Sequence, residues 1–231
     1  MRNEILTTYY AGVLDPQRQR EWKANFNDLL PLLQSIDDSI DITVITNVFD
    51  NAVDGNIRYV SRPCIVNPYF QRWIHYYQYL RDNPDIEFAF CVDATDVEMV
   101  NIPFDEMKKG VIYCGDEPDM IGQNDWLRKY HHAKELKSFF DESNDVQMVN
   151  AGVVGGDRKT LMSFIHAIVK MYHDNLMELS KRENESVGST DMGTFNYVAY
   201  KVWKGKLEHG RKVTNVFKSF IVDRKSWFKH K

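Results

Sequence analysis

The feature that most constrains the fold is a nearly uninterrupted apolar run at residues 86–92, which stops at two acidic residues. The run reads Ile-Glu-Phe-Ala-Phe-Cys-Val and is followed by Asp93-Ala94-Thr95-Asp96. A strand that is apolar on both faces must be covered on both faces, which is typical of the central strand of an α/β sheet. Ligands of such sheets bind beyond the carboxyl ends of the strands. The run therefore predicts an α/β enzyme whose chemistry centres on residues 93–96.

The rest of the chain alternates between strand-like and helix-like segments. Further strands are predicted at residues 5–10, 42–46, 57–60, 111–114 and 147–154. Helices are predicted at residues 15–33, 67–80, 160–179 and 191–202, and residues 181–189 are predicted to form a polar loop. The first two helices are expected to begin at Asp15-Pro16 and Asn67-Pro68, because a capping residue before proline is a typical helix start. This order favours one α/β domain, in which helices flank a mixed, mostly parallel sheet.

Composition limits the classes of function. The chain has 231 residues and a net charge of −4, so a general nucleic-acid surface is not expected. The stretch from Lys201 onward is locally basic, which suits either a phosphate-bearing substrate or a solvated surface. None of the three cysteines lies in a C-x-x-C pair, so neither a zinc site nor a disulfide framework is indicated. Cys91 and Cys114 lie in apolar runs and are predicted to be buried thiols.

Two features of the sequence bear on its location. No secretory signal opens the chain, and no apolar stretch approaches the roughly 18 residues of a membrane span. We therefore expect a cytoplasmic protein without a membrane span. The oligomeric state cannot be read from the sequence.

The acidic pair, Asp93 and Asp96, lies at the predicted ligand-binding edge of the sheet. In a continued strand the two side chains would point to opposite faces, whereas a turn at residues 94–95 would bring them to one point. Carboxylate oxygens at one point suit Mg²⁺ or Mn²⁺. Such a cation can bridge two phosphates and neutralise a leaving diphosphate. The alternative is that Asp93 caps the strand end and Asp96 is solvated.

The string at residues 88–97, Phe-Ala-Phe-Cys-Val-Asp-Ala-Thr-Asp-Val, resembles the strand and acidic motif of GT-A-fold glycosyltransferases. In that family a D-x-D motif holds a metal ion against the diphosphate of a UDP- or GDP-sugar. The spacing here is D-x-x-D, so the resemblance does not say whether Asp93 or Asp96 is the direct ligand. It implies a single GT-A-like, Rossmann-like domain, with a nucleotide-binding half at about residues 1–100 and a donor-sugar and acceptor half at about 101–231. It also implies Mn²⁺ or Mg²⁺ as cofactor.

Three further segments resemble motifs of the same family, in the family's order. The segment 150–156, Asn-Ala-Gly-Val-Val-Gly-Gly, is similar to the loop that borders the donor sugar. The segment 191–200 resembles a helix start whose acid is the general base or the anchor of the sugar, so Asp191 is the candidate catalytic residue. The final Trp-Phe-Lys-His-Lys resembles the family's C-terminal end, where His230 would complete the metal shell and Lys231 would contact phosphate.

The resemblance also implies which residues hold the donor and the acceptor. On the nucleotide and diphosphate side these are Thr7, Thr8, Tyr9, Asn47, Asp50, Arg72, Tyr76, Asp93 and Lys231. On the side of the donor sugar and acceptor they are Asn150, Ala151, Gly152, Glu117, Asn124 and Trp126. Arg72 suits a diphosphate because a guanidinium forks onto phosphate, although it is predicted on the less apolar side of its helix, where an exposed surface arginine is the alternative.

Together these motifs imply transfer of a sugar from a nucleoside-diphosphate sugar, with a UDP-sugar favoured, to an acceptor hydroxyl. The acceptor stays open among a saccharide, a lipid-linked sugar, a protein and a modified nucleobase in DNA. One alternative is a sugar-phosphate nucleotidyltransferase, which usually has a Gly-rich loop with basic residues after the first strand; residues 7–12 hold one glycine and no basic residue. The other is a non-catalytic nucleotide-binding or assembly protein.

Overall fold

The computed structural model describes residues 1–181, 190–217 and 224–231. The strands are β1 (Arg2–Tyr9), β2 (Leu14–Asp15), β3 (Arg20–Glu21), β4 (Asp41–Thr46), β5 (Ala52–Asp54), β6 (Ile57–Ser61), β7 (Ile86–Asp93), β8 (Val97–Met99), β9 (Ile112–Met120), β10 (Gln147–Asp157), β11 (Leu207–His209) and β12 (Phe228–His230). The α-helices are α1 (Leu30–Ser35), α2 (Pro68–Asp82), α3 (Asp125–Tyr130), α4 (Lys134–Asp141), α5 (Arg158–Leu179) and α6 (Met192–Tyr197).

One mixed sheet forms the centre of the molecule, with the strand order β11-β9-β10-β7-β1-β4-β6-β5. Strands β7, β1, β4 and β6 run parallel to one another. Strand β10 is antiparallel to both β7 and β9, while β11 is parallel to β9 and β5 is antiparallel to β6. This arrangement confirms the predicted class, an α/β fold with a mixed, mostly parallel sheet flanked by helices, and it is consistent with a single Rossmann-like domain.

The apolar strand β7 lies between β1 and β10 and is covered on both faces. Ala89 and Cys91 belong to one hydrophobic core, with residues of α2, α5 and α6. Phe88, Phe90 and Val92 belong to the second core, with residues of α1 and of the C-terminal strand. Side chains alternate between the faces of a strand, so a run without polar residues must supply both cores. The sequence-based prediction for this strand is confirmed, and Cys91 is a buried free thiol as expected.

Helices α2 and α5 begin at side-chain caps. The Asn67 side chain accepts a hydrogen bond from the Tyr69 amide and Pro68 occupies the first turn, as the sequence predicts. The Asp157 side chain accepts from the Thr160 amide, so α5 begins two residues before the predicted start. The predicted helix at residues 191–202 is present as α6 followed by a π-helical turn at Val198–Val202.

The predicted helix beginning at Asp15-Pro16 is wrong. Asp15 Oδ1 accepts hydrogen bonds from the amides of Gln17, at 2.8 Å, and Arg18, at 3.1 Å, and Oδ2 accepts from the indole of Trp22, at 3.1 Å. These bonds stabilise a turn between β2 and β3, because an aspartate that binds the amides just after it competes with helix formation. The helix of this region is the short α1, beginning at Leu30.

The C-terminal strand β12 returns the chain to the acidic end of β7. It pairs antiparallel with β8, and His230 lies opposite Val97 in the register. Residues 182–189 of the predicted polar loop lie outside the described residues. Within the three described segments, no helix combines the length and apolar character needed to cross a membrane.

Candidate metal centre and binding cleft

A cleft of about 600 Å³ opens where β1 and β7 end. The two strands are parallel neighbours and Thr8 pairs with Asp93, so their carboxyl ends meet at one edge of the sheet. Ligands of open α/β sheets bind at such an edge. The predicted site residues that line the cleft are Thr8, Tyr9, Arg72, Asp93, Asp96, Glu117, Asn124, Trp126, Asn150, Ala151, Gly152 and Asp191.

Asp93, Asp96 and His230 converge at the inner end of this cleft. Residues 94–96 form a turn, which brings the two carboxylates together as the sequence allowed. Pairing of β8 with β12 places His230 beside them, with Nε2 4.0 Å from Asp93 Oδ2 and 3.8 Å from Asp96 Oδ2. One ligand atom from each residue lies within 4.8 Å of the others. The three side chains therefore form a candidate metal centre.

Several polar atoms of this cluster are buried without hydrogen-bond partners among the described residues. Within the described residues, Asp96 Oδ1 and both ring nitrogens of His230 are buried and have no hydrogen-bond partner. A buried polar group without a partner costs about 1–3 kcal/mol, so such groups ordinarily have a role or a ligand. Two carboxylates and an imidazole are ligand types that Mn²⁺ accepts. The residues present fit a divalent cation.

Burial sets the protonation of the candidate ligands. Burial and the neighbouring Asp93 raise the pKa of Asp96 to about 7. Burial lowers the pKa of His230 to about 4, an effect that Asp93 opposes and Arg72 reinforces. The imidazole is therefore neutral at pH 7 and keeps a lone pair for a metal ion. A bound cation favours the charged form of a carboxyl group, so it would release the Asp96 proton.

Gly152 leaves the space that this cluster needs. A Cβ at this position would lie 2.5 Å from His230 Cε1, 2.6 Å from Asp93 Oδ2 and 2.8 Å from Asn150 Oδ1. All three distances are shorter than van der Waals contact. The glycine of the Asn-Ala-Gly segment is therefore required by close approach to the metal-binding side chains.

Arg72 lies beside the cluster and joins it to Asp191. Its Nη1 donates to Asp93 Oδ1 at 2.5 Å, while Nε and Nη2 donate to Asp191 Oδ2 at 3.0 and 2.6 Å. The sequence places Arg72 on the less apolar side of α2, but the side chain is buried, at 8% exposure. The prediction fails because the two carboxylates compensate a buried guanidinium. Although burial lowers the pKa of Arg72, Asp191 and Asp93 raise it above its ordinary value, so the side chain is charged.

Asp191 precedes α6 without capping it. Its side chain makes no capping hydrogen bond and is 1% exposed. Oδ2 accepts from Arg72 and, at 2.6 Å, from the indole of Trp73. The hydrogen bonds from Arg72 and Trp73 to this carboxylate all end on Oδ2. The candidate catalytic residue is thus held rigidly, with its charge compensated by a guanidinium.

Two buried polar side chains fix the start of α6. His131 Nδ1 lies 2.9 Å from the Leu127 carbonyl, and Nε2 lies 3.1 Å from both the Gly193 amide and the Thr190 carbonyl. Burial lowers the pKa of His131, against the effect of the two carbonyl groups. Asn196 exchanges two hydrogen bonds of 2.9 Å with the backbone of Val149 in β10. The position of Asp191 is therefore set by α3 and β10 together.

Six predicted site residues do not line the cleft: His230, which lies beside the acidic pair, and five others. Thr7 and Tyr76 are buried beneath it, and their hydroxyls donate to the Val92 carbonyl at 2.8 and 3.5 Å. The Asn47 side chain bonds both backbone groups of Ala11 and so supports the loop after β1. Asp50 is exposed outside the cleft, and the side chain of Lys231 pairs with Glu98. These positions support the site from below or from the side.

The sequence interpretation missed part of the cleft wall. Asp15, Gln17, Arg18, Trp22 and Tyr69 line it, and four of them belong to the β2–β3 hairpin that was predicted as a helix. The Arg18 guanidinium packs 4.8 Å from the centre of the Trp22 ring. An aspartate followed by proline and by the polar residues at 17–20 is a turn signal, and it would have indicated this loop.

The described residues that line the cleft carry more negative than positive charge. The charged residues that line it within the described segments are Asp15, Arg18, Arg72, Asp93, Asp96, Glu117, Asp119 and Asp191. Six carboxylates therefore face two guanidinium groups, and a phosphate ligand would be repelled unless a cation offset the difference.

No protein-family model matches this chain, and no curated protein matches it in sequence.

Proposed function

We propose that this chain is a metal-dependent glycosyltransferase, which moves a sugar from a nucleoside-diphosphate sugar to an acceptor hydroxyl, with a UDP-sugar as the favoured donor. The observation that carries the proposal is the cluster of Asp93, Asp96 and His230 beside Arg72, in a cleft at the carboxyl ends of two parallel strands. A cation site next to a buried guanidinium is the combination that binds a diphosphate.

The metal centre accounts for how an acidic cleft would accept an anionic donor. Asp93, Asp96 and His230 would hold a divalent cation, whose positive charge would offset the negative charge of a leaving diphosphate. Gly152 keeps the space around these ligands open. Arg72 is held by two carboxylates and directs Nη1 toward Asp93, so its charge lies beside the phosphate position without reorganisation.

Asp191 is the proposed base or anchor on the sugar side. The acceptor oxygen forms a bond with the anomeric carbon, and the bond from that carbon to the diphosphate oxygen breaks with its electron pair. As base, Asp191 takes the hydroxyl proton on Oδ1; as anchor, the same oxygen accepts a hydrogen bond from the donor sugar, and the proton passes to the departing diphosphate. The three donors to Oδ2 hold the carboxylate in one orientation, which favours the anchor.

A sugar-phosphate nucleotidyltransferase is the second candidate, because Arg18, in the β2–β3 hairpin that follows β1, lines the cleft. Basic residues on that loop are what such an enzyme needs for a nucleoside triphosphate. This reaction releases pyrophosphate from a nucleoside triphosphate and a sugar phosphate. Incubation with each triphosphate and a panel of sugar 1-phosphates, followed by a pyrophosphate assay, separates it from glycosyl transfer.

Donor turnover tests the leading proposal. Purified protein is incubated with a panel of UDP- and GDP-sugars, in Mn²⁺, in Mg²⁺ and in EDTA, and free nucleoside diphosphate is measured. We expect metal-dependent release from one donor class. Asp93→Asn combined with Asp96→Asn should abolish this release while leaving the unfolding temperature near that of the wild type, and the exposed Asp105→Asn serves as the matched control.

Two outcomes would contradict the proposal. Wild-type turnover in the double variant would exclude the metal role of Asp93 and Asp96. Inactivity across the whole donor panel, with nucleotide binding retained, would indicate the non-catalytic nucleotide-binding protein instead.

A further inference from the structure

Among the described residues that line the cleft, the cations lie on one side of it. Within the described residues that line it, the cations are Arg18 and Arg72, which lie on the side formed by the β2–β3 hairpin and α2. The opposite side is formed by the end of β9 and by α3, and it carries Glu117 and Asp119 without a lysine or arginine among its described lining residues. We call this second side, residues 117, 119, 124, 126 and 150, the acceptor rim. The first side also carries Asp15, but among the described lining residues an anionic ligand meets cations only there.

The acceptor rim presents an indole held in a fixed position. Trp126 is partly exposed on α3 and packs against Tyr130, with ring centres 5.4 Å apart, and His131, at 5.9 Å. Asn124 caps α3 by accepting from the Leu127 amide at 2.9 Å, and its Nδ2 donates to Asp119 Oδ2 at 2.7 Å. These bonds tie the helix to β9, so Trp126 faces the cleft with little freedom to lose on binding.

The acceptor rim is connected to the metal centre by hydrogen bonds. Asn150 Nδ2 donates to Glu117 Oε1, and Asn150 Oδ1 accepts from the Gly152 amide at 2.5 Å. Gly152 in turn lies directly against Asp93 and His230. A group bound at Glu117 is therefore adjacent to the position of the donor diphosphate, as an attacking hydroxyl must be.

We infer that the acceptor is a neutral saccharide bound on this rim, an inference that rests on the proposed glycosyl transfer. Trp126 would stack on the C–H face of a sugar ring, since an indole offers a large apolar face with a polar edge. Glu117 and Asp119 would accept hydrogen bonds from sugar hydroxyls, which are stronger when the acceptor is charged. A polyanionic acceptor such as duplex DNA is disfavoured, because its phosphates would face carboxylates where such binding requires lysine and arginine.

The test compares two acceptor classes and one variant. Transfer from the active donor is measured to a panel of neutral oligosaccharides and to a duplex that contains hydroxymethylcytosine. Trp126→Ala should raise the KM for the saccharide roughly tenfold, the magnitude of a lost aromatic contact, and Trp126→Phe should retain part of the affinity. Mn²⁺ affinity should be unchanged in both variants, because Trp126 does not belong to the candidate metal centre. Glu117→Gln should also raise the KM for the saccharide, and it should not make the duplex an acceptor.

A binding measurement separates this inference from the proposed reaction. In ¹⁵N-labelled protein the indole resonance of Trp126 is assigned by its absence in Trp126→Phe, and neutral oligosaccharides are then titrated. Saccharide-dependent shifts of this resonance support the rim even if no donor is turned over, in which case only the proposed reaction fails. Preference for the duplex, an unchanged KM in Trp126→Ala, or a resonance that no saccharide shifts would overturn the inference.

Discussion

Arg72 Nη2 and Asp191 Oδ2 lie 2.6 Å apart in the floor of the cleft, although 119 positions separate the two residues in the chain. The same guanidinium donates from Nη1 to Asp93. A single side chain of α2 therefore joins the acidic turn after β7 to the start of α6. This bridge explains how Arg72 and Asp191 can be buried together, with Asp93 partly exposed beside them, since the guanidinium lies at hydrogen-bond distance from both carboxylates.

Removing the guanidinium should destabilise the fold because it leaves buried carboxylates without compensation. Arg72→Met is expected to lower the free energy of unfolding by about 3–5 kcal/mol, the usual effect of breaking a buried ion pair. Asp191→Asn in the Arg72→Met background should recover part of this loss. Urea unfolding of the two single variants and the double variant measures the coupling. Additive losses would show that the two side chains are energetically independent.

Gly152→Ala should close the metal centre while preserving the fold. The new Cβ would contact His230 Cε1 at 2.5 Å and Asp93 Oδ2 at 2.6 Å, so these side chains must move apart. We expect Mn²⁺ affinity to fall by at least about tenfold, as it does when ligand positions are perturbed. Gly156→Ala is the control, because it lies in the same strand but its Cβ would meet Val111 and Ile112. Equal Mn²⁺ affinities in both variants, by calorimetry, would refute the close-approach argument.

His230 should contribute to metal binding through its imidazole, whereas its neighbour should not. His230→Ala is expected to weaken Mn²⁺ binding by at least about 10- to 100-fold, the range found when groups around a metal site are removed. Lys231→Ala is the matched control, since the Lys231 side chain pairs with Glu98 outside the cleft. Electron paramagnetic resonance of free Mn²⁺ measures both affinities. Indistinguishable variants would remove His230 from the ligand set.

The stability of the protein should fall in mild acid, in part because of His75. Its Nδ1 lies 2.7 Å from the Tyr10 hydroxyl and its Nε2 lies 3.1 Å from Gln71 Nε2, which fits a neutral ring that donates from Nδ1 and accepts at Nε2. Burial, reinforced by Arg62, lowers the pKa of His75 to about 4 from 6.5.

The lowered pKa determines how the free energy of unfolding changes with pH. The unfolded chain takes up the His75 proton below pH 6.5 but the folded chain does so only near pH 4, so the free energy of unfolding decreases as pH falls through this window. His75→Gln removes this contribution while other titrating groups remain. Urea unfolding between pH 7.5 and 4 measures the free energy of unfolding of both proteins. As pH falls, this free energy should decrease more in the wild type than in His75→Gln. Parallel curves would contradict the assignment.

Features that depend on local sequence were predictable. The apolar run before Asp93 determines a strand that is buried on both faces, and Asn67-Pro68 determines where α2 begins, because both patterns act through neighbouring residues. The turn between Asp93 and Asp96 is one of two conformations that the sequence allows, and the structure has the turn. The hairpin at Asp15 was missed because one carboxylate bonded to nearby amides outweighs an apparent helical pattern.

Tertiary structure decided the rest of the site. The burial of Arg72 depends on two carboxylates that are 21 and 119 positions away, so nothing in its own helix indicates it. The placement of His230 depends on the pairing of β12 with β8, a long-range choice that leaves no local pattern. The sequence alone therefore determined which strand ends in the acidic pair and that a cation suits it. Only the assembled fold determined which charges surround that pair, because ion-pair partners and strand neighbours are set by topology rather than by periodicity.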